Sequence, residues 1–255
     1  MGAHGGVGRH RGRRRRGPGA ILLALVVATV VAGTVASGPG AHGATPAAGA
    51  PSPSVLVPGG TVPYRFTPGA SGRLTVSNPA TVPSDGAQAR WVWSPPGTAS
   101  GPTESACDTW DSQTGTITQQ GVALRVVAGG GTVRSAITVT KNVYANTVWV
   151  FNVHLWTGSD YHLIGQYVLK HDLLDGHRLD PLPWRMCAEA TGATLRFVVW
   201  PLSRREPAWG DPDDGATLTL PAGWEYADGR PGFYVGHLHG GDRATFSDPR
   251  VTAGP

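Results

Sequence analysis

The side chains best suited to chemistry stand at alternate positions of short β-prone runs. In TVWVFNVHLW, residues 147–156, Asn152, His154 and Trp156 share one parity, opposite the wholly apolar Trp149, Phe151, Val153 and Leu155. In YHLIGQYVLK, residues 161–170, Gln166 stands opposite an apolar set of Tyr161, Leu163, Gly165, Tyr167 and Leu169. In ATLRFVVW, residues 193–200, Arg196 and Trp200 stand opposite Ala193, Leu195, Phe197 and Val199. A face mixing amide, imidazole, guanidinium and indole groups suits a saccharide, whose hydroxyls hydrogen-bond while its C–H faces stack on aromatic rings. Asn152, His154, Trp156, Gln166, Arg196 and Trp200 therefore form the candidate ligand-binding set, the two indoles stacking and the others hydrogen-bonding. The alternative for the same residues is a sheet face covered by loops.

Two other clusters resemble metal sites. GDPDDG places Asp211, Asp213 and Asp214 in one loop, an oxygen-rich arrangement that could hold a structural Ca²⁺, but without the twelve-residue spacing of an EF-hand it reads equally as a charged turn. GHLHGGD sets His237 and His239 two residues apart, on one face of a strand, with Asp242 beyond; one more firm ligand is needed for zinc or copper. No cofactor is expected from either. Cys107 and Cys187 are the only cysteines, and in an oxidising compartment an isolated pair reads as one disulfide.

These residues need strands to position them. From Thr61 onward about twelve β-prone runs are separated by Gly, Pro, Asn and Asp, and no stretch of ten residues keeps a 3.6-residue period. The expected fold is all-β: a two-sheet antiparallel jelly-roll sandwich over residues 61–255, monomeric. Residues 37–60, rich in Gly, Ala, Pro and Ser, read as a flexible linker. Before them, a basic stretch with Arg9, Arg11 and Arg13 to Arg16 leads into an uncharged run from Ala20 to Ala36. That is the pattern of a secretory signal, with an uncleaved membrane anchor as the alternative, so residues 1–36 direct the rest out of the cytoplasm.

Charge narrows the partners. Six of the 21 basic residues lie in that leader, and from Ser37 onward 15 basic residues face 17 acidic ones. The electrostatic basis for a nucleic-acid partner is thereby removed. A polysaccharide or cell-envelope glycan is the expected partner, bound without catalysis.

The C-terminal half resembles the laminin-G-like or concanavalin A-like jelly-roll domains of secreted bacterial proteins. The resemblance rests on Val199-Trp200-Pro201, on Glu206-Pro207 with Trp209, on Gly232 and Gly236, and on Phe246 with Asp248. These are turn and packing features, so the resemblance implies a fold more than a function. Family 16 glycoside hydrolases of this fold carry a Glu-x-Asp-x-x-Glu strand, which is absent; Glu225 and Asp228 lie in a Gly-rich turn. Alginate-lyase-like members carry a Gln-x-His strand with Arg and Tyr. Here Gln166 is followed by Val168, and a lyase would have to draw on His154 and Tyr234, with Arg196 neutralising a substrate carboxylate.

Overall fold

The computed structural model describes residues 52–144, 148–169 and 182–255; the leader and most of the linker lie outside them. Fourteen strands run among the described residues: β1 (Ser52–Val57), β2 (Arg65–Pro68), β3 (Leu74–Ser77), β4 (Arg90–Ser94), β5 (Thr103–Gln113), β6 (Gln119–Gly129), β7 (Thr132–Tyr144), β8 (Val148–Thr157), β9 (Asp160–Tyr167), β10 (Trp184–Thr191), β11 (Thr194–Pro201), β12 (Gly215–Thr219), β13 (Arg230–Gly236) and β14 (Arg243–Gly254). Sheet A has the order β1-β4-β13-β6-β7-β8-β9, and sheet B the order β12-β11-β10-β5-β14-β3-β2. This is the two-sheet antiparallel sandwich expected from the sequence, with no α-helix among the described residues.

Period-2 alternation builds the core. Trp149, Phe151, Val153 and Leu155 of β8 and Leu195, Phe197 and Val199 of β11 are buried between the sheets, on the parities read from the sequence. Around them Trp110 lies 6.4 Å from Phe151 at an interplanar angle of 11°, and Trp149 packs 5.0 Å from Trp184. Burying side chains of this size contributes about 1.5–3 kcal/mol each, which is what holds the two sheets together.

The sandwich begins earlier than residue 61. Ser52–Val57, assigned from composition to the linker, is strand β1, paired with β4 from Ser52 opposite Ser94 to Val57 opposite Arg90. Leu56 supplies the buried anchor, and Pro53 is tolerated because β1, paired with β4 along its length, is paired on its other side only at Val55.

β1 also closes sheet A on itself. Val55 pairs with Thr132 of β7, and its N–H donates to the Gly131 carbonyl at 2.8 Å, so β1-β4-β13-β6-β7 forms a ring. The ring encloses the face turned away from sheet B. Leu56, Val92, Ala123, Val126, Val133, Ala136, Trp156 and Tyr234 meet there as a second hydrophobic core. Gly232 and Gly236 are required by this curl: a Cβ at Gly232 would stand 2.4 Å from the Trp93 carbonyl oxygen, and one at Gly236 2.8 Å from Tyr234 Oη.

Candidate functional site

The register places the polar residues of sheet A in rows on its outer face. Gln166, Asn152, Thr140, Gly121, Tyr234, Val92 and Ser54 are successive cross-strand partners and share that face. The next row holds Leu163, His154, Thr138, Ala123 and Gly232. On the other side Arg90 pairs with Gly236 and Gly236 with Gln119. Closure through β1 brings the two ends of the sheet together, so the Arg90 guanidinium sits 5.8 Å from the Trp156 ring although four strand steps separate them.

A hydrogen-bond chain crosses this face. Tyr234 Oη donates to Gln119 Oε1 at 2.8 Å, and Gln119 Nε2 donates to Asn142 Oδ1 at 2.6 Å. Gln166 Nε2 donates to Asn152 Oδ1 at 3.0 Å, and Trp156 Nε1 to Thr138 Oγ1 at 2.9 Å. His154 packs edge-on to Tyr161 at 5.0 Å. Of the buried atoms without a hydrogen-bond partner among the described residues, three lie on or beside this face: His154 Nδ1, Thr140 Oγ1 and His237 Nε2. Burial first, and then the charge of Arg90, lowers both imidazoles from the ordinary 6.5 to about 4, so both are neutral at pH 7. Burial pushes the Tyr234 phenol well above its usual range, with Arg90 opposing, so Tyr234 stays protonated.

The six candidates from the sequence do not form one site. Asn152, His154, Trp156 and Gln166 lie on the outer face of sheet A, while Arg196 and Trp200 lie on the outer face of sheet B. Trp156 is 1% exposed and belongs to the second core, so it offers no ring to solvent. Trp200 is 3% exposed, packed with Trp209 and the cysteines, and is likewise no stacking platform. Arg196 lines a shallow hollow of about 360 Å³, but it is held by Glu189 at 2.8 Å and lies 4.9 Å from the Trp209 ring. Asn152 is 5% exposed, with its carbonyl oxygen taken by Gln166.

The aromatic surface that is open comes from a residue the alternation assigned to the core. A register shift between Val153 and His154 sets Gly165 opposite Val153 but Leu163 opposite His154, leaving Ile164 as a bulge. The bulge moves Tyr161 and Leu163 to the outer face, where Tyr161 is 58% exposed. Sequence reasoning also missed Arg90, Gln119 and Asn142. Arg90 carried a readable signal, since in ARWVWS it has the parity opposite Trp91 and Trp93.

Elsewhere, Cys107 and Cys187 form the expected disulfide, joining directly opposed residues of β5 and β10. His237 and His239 do not share a strand face: β13 ends at Gly236, and His237 turns the chain with φ of 56°. In the aspartate loop Asp211 Oδ1 accepts from the Asp213 N–H at 2.9 Å, the geometry of an Asx turn. Among the described residues no three His, Cys, Asp or Glu side chains stand close enough to hold a metal ion. No described helix is long and apolar enough to cross a membrane, and residues 1–36, read from the sequence as a signal or anchor, lie outside the described residues.

No family model matches the chain, and no curated protein matches it in sequence. Among solved structures it is similar to the Emp46p carbohydrate recognition domain in its potassium-bound form, at 8% identity and a TM-score of 0.49, over 79% of this chain and 97% of that one. The exoplasmic/lumenal domain of VIP36, bound to Ca²⁺ and Man3GlcNAc, gives 8% identity and a TM-score of 0.48 over 76% and 83%. A Bacillus subtilis protein of unknown function with a galectin-like fold gives 13% and 0.46 over 78% and 95%.

Proposed function

We propose that this is an exported protein that binds a polysaccharide or cell-envelope glycan on the outer face of sheet A. The observation that carries the reading is unfilled polar capacity beside an open ring. His154 Nδ1 and Thr140 Oγ1 are buried without partners, next to the Tyr234–Gln119–Asn142 chain and the exposed Tyr161. Buried polar groups are normally satisfied, so a cluster that is not asks for an external partner. Sugar hydroxyls supply both donors and acceptors, and Tyr161 supplies the stacking surface.

Isothermal titration against a polysaccharide panel, run with and without EDTA, tests the reading. Tyr161→Ala is expected to weaken the bound glycan at least about tenfold with little change in thermal midpoint, the loss of one good stacking contact. Binding to no member of the panel would leave a structural or adhesive module without a small ligand.

A second reading draws on Tyr234, neutral His154 and Arg90, which share this face with Arg90 acting on the titration of both, and it requires Tyr234, 1% exposed, to open toward a substrate. A neutral imidazole can accept a proton, a protonated phenol can deliver one to a leaving oxygen, and a guanidinium can neutralise a uronate carboxylate. Together these are the parts of a β-eliminating polysaccharide lyase, with Arg90 in the place the sequence assigned to Arg196. Ultraviolet absorbance of newly formed unsaturated ends, measured on alginate, glucuronan and heparinoid substrates, separates the two readings: it rises for a lyase and stays flat for a binder.

A further inference from the structure

The ring of sheet A has a second open end, at the β6–β7 hairpin. There Ser52, Ser54, Ser94, Arg134, Asp228 and Arg230 line a hollow of about 440 Å³. All five strands of the ring contribute to it, and its inner wall is Val92 and Val126 of the second core. That volume lies within the roughly 300–1,000 Å³ of small-molecule sites, which recur in the mouths of β-barrels.

The chemistry of the lining is selective. Neither the Arg134 nor the Arg230 guanidinium has an ion pair or side-chain hydrogen bond among the described residues. In this respect they differ from Arg125, Arg185 and Arg196, whose guanidiniums are all engaged. Two guanidiniums lining one hollow are donors without an acceptor, the chemistry that suits a carboxylate or sulfate. Asp228 reduces the excess to one positive charge and, with the three serine hydroxyls, offers partners for hydroxyl groups. A polyanion would meet Asp228 with like charge, and an apolar ligand would leave the arginines and serines unmatched.

We infer that this hollow is a binding site for a singly charged acidic sugar of the hexuronate type, its carboxylate held by Arg134 and Arg230 and its hydroxyls by Asp228 and the serines. The site is separate from the Tyr234 face. The inference deepens the glycan-binding reading by naming an acidic sugar as part of the ligand, but its geometry does not depend on that face.

The test is titration of the full protein with glucuronate, glucose and inorganic sulfate, followed calorimetrically and by saturation-transfer NMR. Glucuronate is expected to bind, glucose at least about tenfold more weakly, and sulfate more weakly than glucuronate. Arg134→Gln and Arg230→Gln should each cost glucuronate about tenfold or more, the loss of one charge-assisted contact, and Arg134→Lys should not restore it, because a point charge replaces a bidentate fork. Both arginines are exposed, so the variants should keep the wild-type thermal midpoint. Equal affinity for glucose, or sulfate binding as well as glucuronate, overturns the inference, as does glucuronate affinity unchanged in both variants. The two proposals fail separately: Tyr161→Ala tests the Tyr234 face with glucuronate binding intact, and Arg134→Gln tests the hollow with neutral-glycan binding intact.

Discussion

The outer faces of the two sheets carry similar mixtures of polar and aromatic residues, yet their polar groups end in opposite states. On sheet B, Arg196 is paired with Glu189 at 2.8 Å, Arg185 with Asp248 at 2.8 Å and with Thr109 at 3.0 Å, and Ser105 with Thr252 at 2.6 Å. Trp209 packs over the disulfide and Trp200. On sheet A, His154 Nδ1 and Thr140 Oγ1 lack partners, and Arg134 and Arg230 have none at the hairpin end. Composition does not distinguish a site from architecture here; satisfaction does. Around the disulfide the outer face of sheet B finishes its own hydrogen bonding, whereas sheet A leaves capacity for a ligand beside His154 and at the hairpin end.

The largest expected effect is on the closed face. Replacing both cysteines, Cys107→Ser with Cys187→Ser, releases a cross-link spanning 80 residues of sequence. In the chain-entropy model this costs about 4–5 kcal/mol. The denaturation midpoint should fall accordingly, while glycan affinity of the folded fraction is unchanged. A variant that lost affinity without losing stability would move the functional face to sheet B.

Next comes the second core. Trp156→Ala removes a side chain that is 1% exposed and should cost about 3–5 kcal/mol. Its neighbour Tyr161, 5.2 Å away but exposed, should cost under about 1 kcal/mol as alanine. Paired chemical denaturation of the two variants measures the contrast. Similar losses would mean that the ring does not bury Trp156 as a core residue.

That contrast also marks what could be read from the chain. The core faces of β8 and β11 and the disulfide followed from period 2 and from the presence of only two cysteines. His154, Asn152 and Gln166 were correctly grouped by parity. Tyr161 was not, because one bulged residue at Ile164 reverses every parity on its far side, and a bulge leaves no period of its own. The burial of Trp156 and the approach of Arg90 depend on the seam between Val55 and Thr132, which are 77 positions apart in sequence. Local alternation says which face a residue takes, but not whether that face later closes.

The two sheets should also respond oppositely to pH. Glu104 on the core face of β5 accepts from the Arg125 N–H at 2.6 Å through Oε2, while Oε1 is buried without a partner. Burial, outweighing the Arg125 N–H and charge, raises its pKa from 4.5 to about 7. The folded state therefore holds a proton that the unfolded state has lost, and this contribution to stability falls as pH rises from about 4.5 to about 7. His154 and His237 act in reverse: lowered from 6.5 to about 4, they leave the unfolded state with more protons, so their contribution rises with pH across about 4 to 6.5. Glu104→Gln should make the slope of thermal midpoint against pH more positive between pH 4.5 and 6.5, and His154→Asn should make it more negative. A pH profile unchanged by either substitution would remove these groups from the balance.

The smallest effect separates the faces most directly. Arg196 was a ligand candidate by parity, but its guanidinium bonds Glu189 through both Nε, at 3.1 Å, and Nη2, at 2.8 Å, and lies over Trp209. Its side chain is 37% exposed, so solvent screens the pair and it is worth no more than about 1 kcal/mol. Arg196→Ala should leave the denaturation midpoint within that margin and glycan affinity at the wild-type value. Arg90→Ala, on the ring side, should cost affinity, because that guanidinium lies over Trp156 and carries the charge nearest to Tyr234 and His154. If the two arginines exchanged these outcomes, saturation of hydrogen bonding would not be the property that divides the two faces, and the hollow beside Trp209 would be the ligand site instead.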